Sequence, residues 1–345
     1  MSLMIMHISG LDLIAAHEFL DAGQVMIFKG DTDMPGNDSN LPLVTVITPA
    51  YNRASFIDET ILSVLNQDYP NLEYIVLDDG STDNTLEVIK KYQDRIRWDA
   101  HENMGETRTV NKGFSMANGE IIGVVNSDDP LLPGAISRIV DVMIKNRELI
   151  IVYPDWNMIG PNGKMIQHIK TYDYSYIDMI RWHHCIPGPG TFFRREVVKK
   201  LKGRDSQFRY VADFDFWLRA GLLGPFERIP ETLATFRVHP GSASSSNQGR
   251  KMAIEHIQLV EKIYSLPNLP TEVLKVKKEA YSSTNYIAGI VCGNQVFFDK
   301  TKYFLMAIYY VPFKYLFEYK QRLLIMSWSL LGAIYSIFSN ILKSL

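Results

Sequence analysis

The chain has 345 residues, enough for one catalytic body with an appendage or for two modest domains. Apolar residues make up 46% and charged residues 21%, an ordinary globular balance that excludes a largely disordered chain. With 36 basic against 38 acidic residues the net charge is −2, so no basic field points to nucleic acid.

Met1 to Gly10 has no positively charged start, and Asp12, His17 and Glu18 interrupt its apolar character, so it does not read as a signal peptide. Residues 1–40 read as an extension that ends in a polar linker, Lys29–Asn40. From there strands and helices alternate. Leu43–Thr48 (LVTVIT) is short and β-branched, as a buried strand is. Residues 55–66 place Ile57, Ile61, Val64 and Leu65 on one helical face. The predicted strands continue with Leu72–Leu77, Ile96–Ala100, Ile121–Asn126 and Ile150–Tyr153. The predicted helices between them are Asp83–Tyr92, Thr107–Met116 and Pro133–Lys145. Such alternation implies a mostly parallel, Rossmann-like sheet flanked by helices on both faces. Asn162-Gly163 is a hairpin turn signal, residues 175–239 are mixed, and from about residue 250 the chain reads helical. Cys185 and Cys292 have neither CxxC nor zinc spacing, so reduced thiols are expected.

In a parallel sheet, ligands bind beyond the carboxyl ends of the strands. After the first strand comes Pro49-Ala-Tyr-Asn-Arg53, which is neither a GxGxxG nor a phosphate-binding loop. An aromatic ring and an amide there can hold a planar base, and Pro and Asn also form ordinary turns. After the second strand comes Asp78-Asp79-Gly80-Ser81-Thr82-Asp83. Helix capping accounts for the later residues but not for the two acids, which suit the hydrogen-bond donors of a base or ribose. After Ile121–Asn126 comes Ser127-Asp128-Asp129-Pro130. Two adjacent acids repel unless a cation or hydroxyls satisfy them, and an oxygen-rich site suits Mg²⁺ or Mn²⁺ on a diphosphate.

These motifs, together with Ser63–Pro70, Asn103-Met-Gly105 and Asn118-Gly-Glu120, resemble in this order the family 2 glycosyltransferases. The resemblance runs from about Val44 to His239. It implies a GT-A fold and an inverting enzyme that moves a sugar from a nucleoside-diphosphate sugar (UDP-, GDP- or dTDP-linked) to a saccharide or lipid-linked acceptor. Cell-surface polysaccharide synthesis is the expected setting. By the same resemblance Pro49, Tyr51 and Asn52 border the nucleotide, Asp79 accepts from the base, Asp128 touches the ribose and Asp129 ligates Mn²⁺ or Mg²⁺. Pro187–Arg195 resembles the segment lining the sugar pocket, and Ala212–Arg219 the helix that carries the catalytic base, Asp213, with Asp215 as competitor. Phe236–Ser242 resembles the closing motif, in which His239 reaches the metal and Arg237 the diphosphate. The chain departs at Val110-Asn-Lys-Gly113, where members often carry Arg before the Asn and where Arg108 is the substitute nearby. It departs again at Ala212, where members usually have Glu.

The expected layout is an extension and linker over 1–40, a GT-A body over 41–245 and a helical region over 246–345. Within the body, 41–130 is the nucleotide half and 131–245 the acceptor half. Leu323–Leu342 holds 20 uncharged residues, but its serines and helical spacing suit an amphipathic helix better than a span. A cytoplasmic enzyme is expected, with peripheral contact at the inner membrane face and a homodimer left open. A sugar-phosphate nucleotidyltransferase would need a Gly-rich loop at Pro49–Arg53, which has no Gly. A non-catalytic nucleotide-sugar-binding protein is the other alternative.

Overall fold

The computed structural model describes residues 41–240, 249–293 and 297–311. The linker at Lys29–Asn40 and the Leu323–Leu342 segment lie outside them. Within them lies an eight-stranded sheet of β1 (Val44–Ala50), β2 (Leu72–Asp78), β3 (Arg97–Ala100), β4 (Ile121–Val124), β5 (Ile151–Ile159), β6 (Met165–Ile169), β7 (Phe192–Arg194) and β8 (Phe226–Arg237). The strand order is β3-β2-β1-β4-β7-β5-β6, and β8 runs parallel to β5. β3, β2, β1 and β4 are mutually parallel, while β7 is antiparallel to both β4 and β5. The sheet is therefore mostly parallel, as the alternation predicts. Of its antiparallel members, β7 comes from the region whose pattern is mixed, and β6, antiparallel to β5, from the hairpin signalled by Asn162-Gly163.

Helices α1 (Ile57–Leu65), α2 (Thr85–Lys90), α3 (Glu106–Met116) and α4 (Ala135–Lys145) connect the first five strands. They are followed by α5 (Tyr176–Arg181), α6 (Arg195–Leu201) and α7 (Ala212–Ala220), then by α8 (Gly249–Ser265), α9 (Thr271–Lys275), α10 (Lys277–Val291) and α11 (Phe297–Tyr310). Side chains of a strand alternate between faces. Accordingly Val46, Val76 and Val152 pack on one face with Ile57 and Ile61 of α1 and Ile139 of α4. Ile47, Leu77 and Tyr153 pack on the other with Phe114 of α3, Phe216 of α7 and Leu259 of α8. β1 is buried along its whole length, which is why it reads as a continuous apolar run. Its two threonines are satisfied inside: Thr45 donates to Glu73 at 2.6 Å, and Thr48 bonds the Tyr74 hydroxyl at 3.0 Å.

Asn162-Gly163 makes the β5–β6 turn, with Gly163 at φ +76°. The strand predicted to end at Tyr153 runs on to Ile159 through a register shift at Pro154–Trp156. α8, α10 and α11 form their own small core around Phe304, Tyr286 and Ile287. Among the described residues no helix is long and apolar enough to cross a membrane.

Candidate active site

Register brings the strand ends together. Ala50 lies opposite Asp78, and Ile47 opposite Val124, so the segments after β1, β2 and β4 emerge side by side. All the acids singled out in the sequence follow these three strands except the pair on α7.

The turn after β2 is built on Gly80 (φ +73°), whose Cα approaches the 101–103 backbone so closely that a Cβ would sit 2.6 Å from Asn103 N. That approach explains Asp79. Its Oδ1 accepts from Met104 N at 2.7 Å and its Oδ2 from Gly105 N at 3.0 Å, while Asn103 donates to its carbonyl. The Asn103-Met-Gly105 motif is thus the partner of Asp79, two elements away in sequence. Asp78 is buried, accepting from Ser81 N with Oδ2, and among the described residues its Oδ1 has no partner. Asn52 adopts φ +54° and accepts from Thr82 N at 2.8 Å, tying the β1 turn to the β2 turn. Pro49 is buried in β1, whereas Tyr51 is 44% exposed and faces outward beside these turns.

The second cluster follows β4. Asp128 Oδ2 accepts from Arg53 Nε at 3.1 Å and lies 2.9 Å from His239 Nε2. The His239 ring rests on Phe56, centroid to centroid 4.5 Å. Asp129 accepts from Arg237 N at 2.7 Å and from Asn126 Nδ2 at 3.0 Å. Burial and the charge of Asp128 push the Asp129 carboxyl well above the usual carboxylate range. Arg237 is only 1% exposed. Its guanidinium donates to the carbonyls of Asp128, Gly160 and Pro161 and to Glu59 of α1. It therefore braces the acidic turn from behind instead of offering its donors to a ligand, unlike the role that the resemblance implies. His239 likewise meets Asp128 where Asp129 is the expected ligand neighbour.

The third cluster is on α7. Asp213 is partly exposed in the first turn, with Oδ1 on Phe214 N; among the described residues nothing bonds its Oδ2. Asp215 is fully buried and held by Arg219 at 2.6 Å and by Lys262 of α8 at 2.5 Å. Of the two competing acids, Asp215 is a clamp between helices and Asp213 is the partly exposed one. Glu106, at the start of α3, is exposed and pairs with Arg204 at 3.4 Å. Arg108, also on α3, is exposed. Pro187–Gly190 and Thr191 lead into β7, and Gly190 (φ +75°) is packed against Ala234 and Pro154. Burial and the charge of Asp213 push up the thiol of Cys185, just before this segment. Arg53, Phe56, Glu59 and Asn126 are site residues that sequence reasoning does not single out. Arg53 and Asn126 carried a signal, their places in the motifs after β1 and β4.

Comparison with known proteins bears on family and fold. Residues 45–202 match the model of glycosyl transferase family 2. A glycosyltransferase of Haemophilus influenzae is 32% identical over 60% of this chain and 68% of its own length. The chondroitin synthase of Pasteurella multocida is 30% identical over 62% of this chain, an alignment that spans only 23% of that longer protein. Among solved structures, Staphylococcus aureus TarS with UDP-GlcNAc superposes with a TM-score of 0.61 at 18% identity, over 78% of this chain and 82% of the other. A Pyrobaculum calidifontis mannosyltransferase with GDP-Man and Mn²⁺ gives 0.55 at 16% identity, over 95% and 91%. These likenesses show the GT-A fold, and with the Haemophilus relative and the matching family model the conclusion is direct: the chain is a glycosyltransferase and belongs to glycosyl transferase family 2.

Proposed function

We propose that this glycosyltransferase transfers a sugar from a nucleoside-diphosphate sugar to a hydroxyl of a saccharide or lipid-linked acceptor, with inversion and with a divalent cation, in the synthesis of a surface polysaccharide. The catalytic body is taken as 41–245, with the helical region behind it. The observation that carries the reading is the Asp128–His239 pair after β4, together with the partly exposed carboxylate of Asp213 in the first turn of α7.

The donor set suits a cation. Asp128 Oδ2 and His239 Nε2 are 2.9 Å apart, the spacing of two neighbouring ligands at about 2.1 Å from an octahedral Mg²⁺ or Mn²⁺. Asp129 retains lone pairs beyond its two hydrogen bonds, and its raised carboxyl marks a place where positive charge is welcome. Among the described residues no three His, Cys, Asp or Glu side chains form a cage by themselves. Asp128, Asp129 and His239 would therefore hold the ion together with the donor's phosphates, the usual arrangement for Mg²⁺. When bound, the cation neutralises charge on the departing diphosphate.

The remaining roles belong to the chain's own groups. Tyr51 offers a ring face to the base, and buried Asp79 sets the wall beside it. Arg53 and Arg108 offer positive charge to the phosphates. Asp213 Oδ2 takes the proton of the acceptor hydroxyl as that oxygen attacks the anomeric carbon. A single base on the face opposite the leaving group inverts the centre, by the geometry that governs inverting glycosidases. The TarS and mannosyltransferase structures, with UDP-GlcNAc and with GDP-Man and Mn²⁺, support this donor class, and the chondroitin synthase relative supports a glycan acceptor. The test is binding and slow hydrolysis of UDP-, GDP- and dTDP-sugars with Mn²⁺, Mg²⁺ or chelator. One donor bound and cleaved only with metal is the expected result. Metal-independent binding refutes the cation role, and no binding to any donor refutes the donor class.

A further inference from the structure

The helix that carries Asp213 begins without a cap of its own. Val211 precedes α7, and no side chain there accepts from the first helical amides, although such a group commonly fixes the start of a helix. The chain leading into it, residues 202–211, contains no strand or helix. Its course is set from outside. Asn111 of α3 accepts from Arg204 N and donates to Arg204 O, both at 2.8 Å, and Thr107 of α3 donates to Phe208 O at 2.9 Å.

The last fastening before Asp213 comes from α8. Glu255 turns its carboxylate onto two consecutive backbone amides. Arg209 N donates to Oε1 at 3.1 Å and to Oε2 at 3.0 Å, and Tyr210 N donates to Oε2 at 2.6 Å. Consecutive amides aimed at one carboxylate form a small anion-binding nest, and an ionised acceptor makes such bonds stronger than neutral ones. Two turns further along the same face of α8, Lys262 reaches Asp215 at 2.5 Å and Asp205 at 2.7 Å. Between these grips Leu259 of α8 belongs to one core with Phe214 and Phe216 of α7. α8 therefore holds the chain just before Asp213 and again just after it. Both grips lie outside residues 45–202, the part that matches the family model. Lys262 neutralises a buried acid, which is reason enough for its place. Glu255 has no such task. Arg209 is exposed and Tyr210 only partly buried, so their amides could bond water as well. What the carboxylate adds is a fixed position for the chain entering α7.

We infer that Glu255 is a positioning residue for glycosyl transfer: through the Arg209 and Tyr210 amides it sets the place of Asp213. The inference rests on the reading of Asp213 as the base that takes the acceptor proton. Glu255 touches no reacting atom, and the proton still passes to Asp213. A displacement of about 1 Å in a catalytic group can cost on the order of 10²-fold in rate. A tie this close to the base acts on kcat, whereas the groups proposed to hold the donor nucleotide and cation follow β1, β2 and β4 and are fastened elsewhere.

The test is a double-mutant cycle on the slow hydrolysis of nucleotide sugars, in which water is the acceptor. UDP-, GDP- and dTDP-sugars are screened with Mn²⁺, and kcat and donor KM are followed for the one that the wild type cleaves fastest. Glu255→Gln keeps the shape of the side chain and replaces one acceptor oxygen by a donor. It is expected to lower kcat about 10- to 100-fold and to leave donor KM within about twofold. In an Asp213→Asn background the same substitution is expected to lower the residual kcat no further. Glu255→Asp, which keeps the carboxylate one methylene further back, is expected to lose less and to show the same dependence on Asp213. It carries the cycle should urea titration show Glu255→Gln unfolded. An unchanged kcat in the single variants overturns the inference, and so does a loss in KM instead of kcat or an equal loss of kcat in both backgrounds. Each of these leaves the base reading intact if Asp213→Asn itself loses turnover. Full turnover in Asp213→Asn, or no cleavage of any donor by the wild type, removes the reading beneath and this inference with it.

Discussion

Two acids two residues apart on α7 have opposite environments, and the difference gives a sharp test. Asp213 is partly exposed, with Oδ2 unbonded among the described residues, whereas Asp215 is enclosed by Arg219 and Lys262. Asp213→Asn is expected to lower transfer by about 10²–10⁴-fold while leaving donor affinity intact, read by product formation beside titration calorimetry. Asp215→Asn is expected to leave Arg219 with only its two carbonyls and Lys262 with Asp205 alone, and to cost about 3 kcal/mol of stability, read by urea unfolding. If Asp215→Asn instead abolished transfer at full stability, the assignment would be reversed. His239 belongs to the same scale. Its ring meets Asp128, rests on Phe56 and is buried. His239→Ala is expected to weaken metal-dependent donor binding without unfolding the domain, measured as the Mn²⁺ concentration for half-maximal binding.

At the scale of elements, the site is a set of turns fastened to one another. The β1 turn is held to the β2 turn through Asn52, Ser81 and Thr82, and the β2 turn to the start of α3 through Asp79. Gly80 makes the second fastening possible, because only glycine tolerates both φ +73° and the Asn103 backbone at that distance. Gly80→Ala is expected to cost about 1–3 kcal/mol and to weaken nucleotide binding along with it, since the Asp79 bonds stretch first. Urea unfolding and calorimetry on the same sample check both effects. The parallel strands and their helices were legible in the sequence because each buried face leaves a period of its own. β7, α6 and β8 were not. Phe192–Arg194 is three residues long and pairs with β4 and β5, which are far away in sequence, so no local pattern announces it.

At the scale of the whole molecule, the C-terminal helices meet the catalytic body across a buried chain of hydrogen bonds. Thr284 of α10 bonds His183 Nδ1 at 2.9 Å, and His183 Nε2 bonds His256 Nδ1 of α8 at 2.8 Å. His183 adopts φ +52°, an uncommon conformation for a residue with a side chain. Burial holds both imidazoles below the usual histidine value, His256 down to about 3. Their folded values are depressed, so the stability they contribute is present above about pH 6.5 and is lost as pH falls below it. Each histidine can remove up to about 1.4 kcal/mol per pH unit in that window. The urea midpoint is therefore expected to drop between pH 7 and pH 5, and the drop to shrink in His256→Asn. A midpoint independent of pH over that range would contradict the neutral buried pair.

The sequence by itself determined the alternation of strands and helices, the position of every acid that follows a parallel strand, and the family. These are local facts: period, turn residues and ordered motifs within a few dozen residues of chain. Tertiary structure alone decided which side chain faces which. It turned Arg237 inward against Glu59 and three carbonyls, and it set His239 on Asp128. It separated partly exposed Asp213 from clamped Asp215 and, among the described residues, left the buried Nε of Arg204 without an acceptor. Such outcomes depend on contacts between residues as far apart as Glu59 and Arg237, and burial and hydrogen-bond satisfaction are settled only when those segments pack.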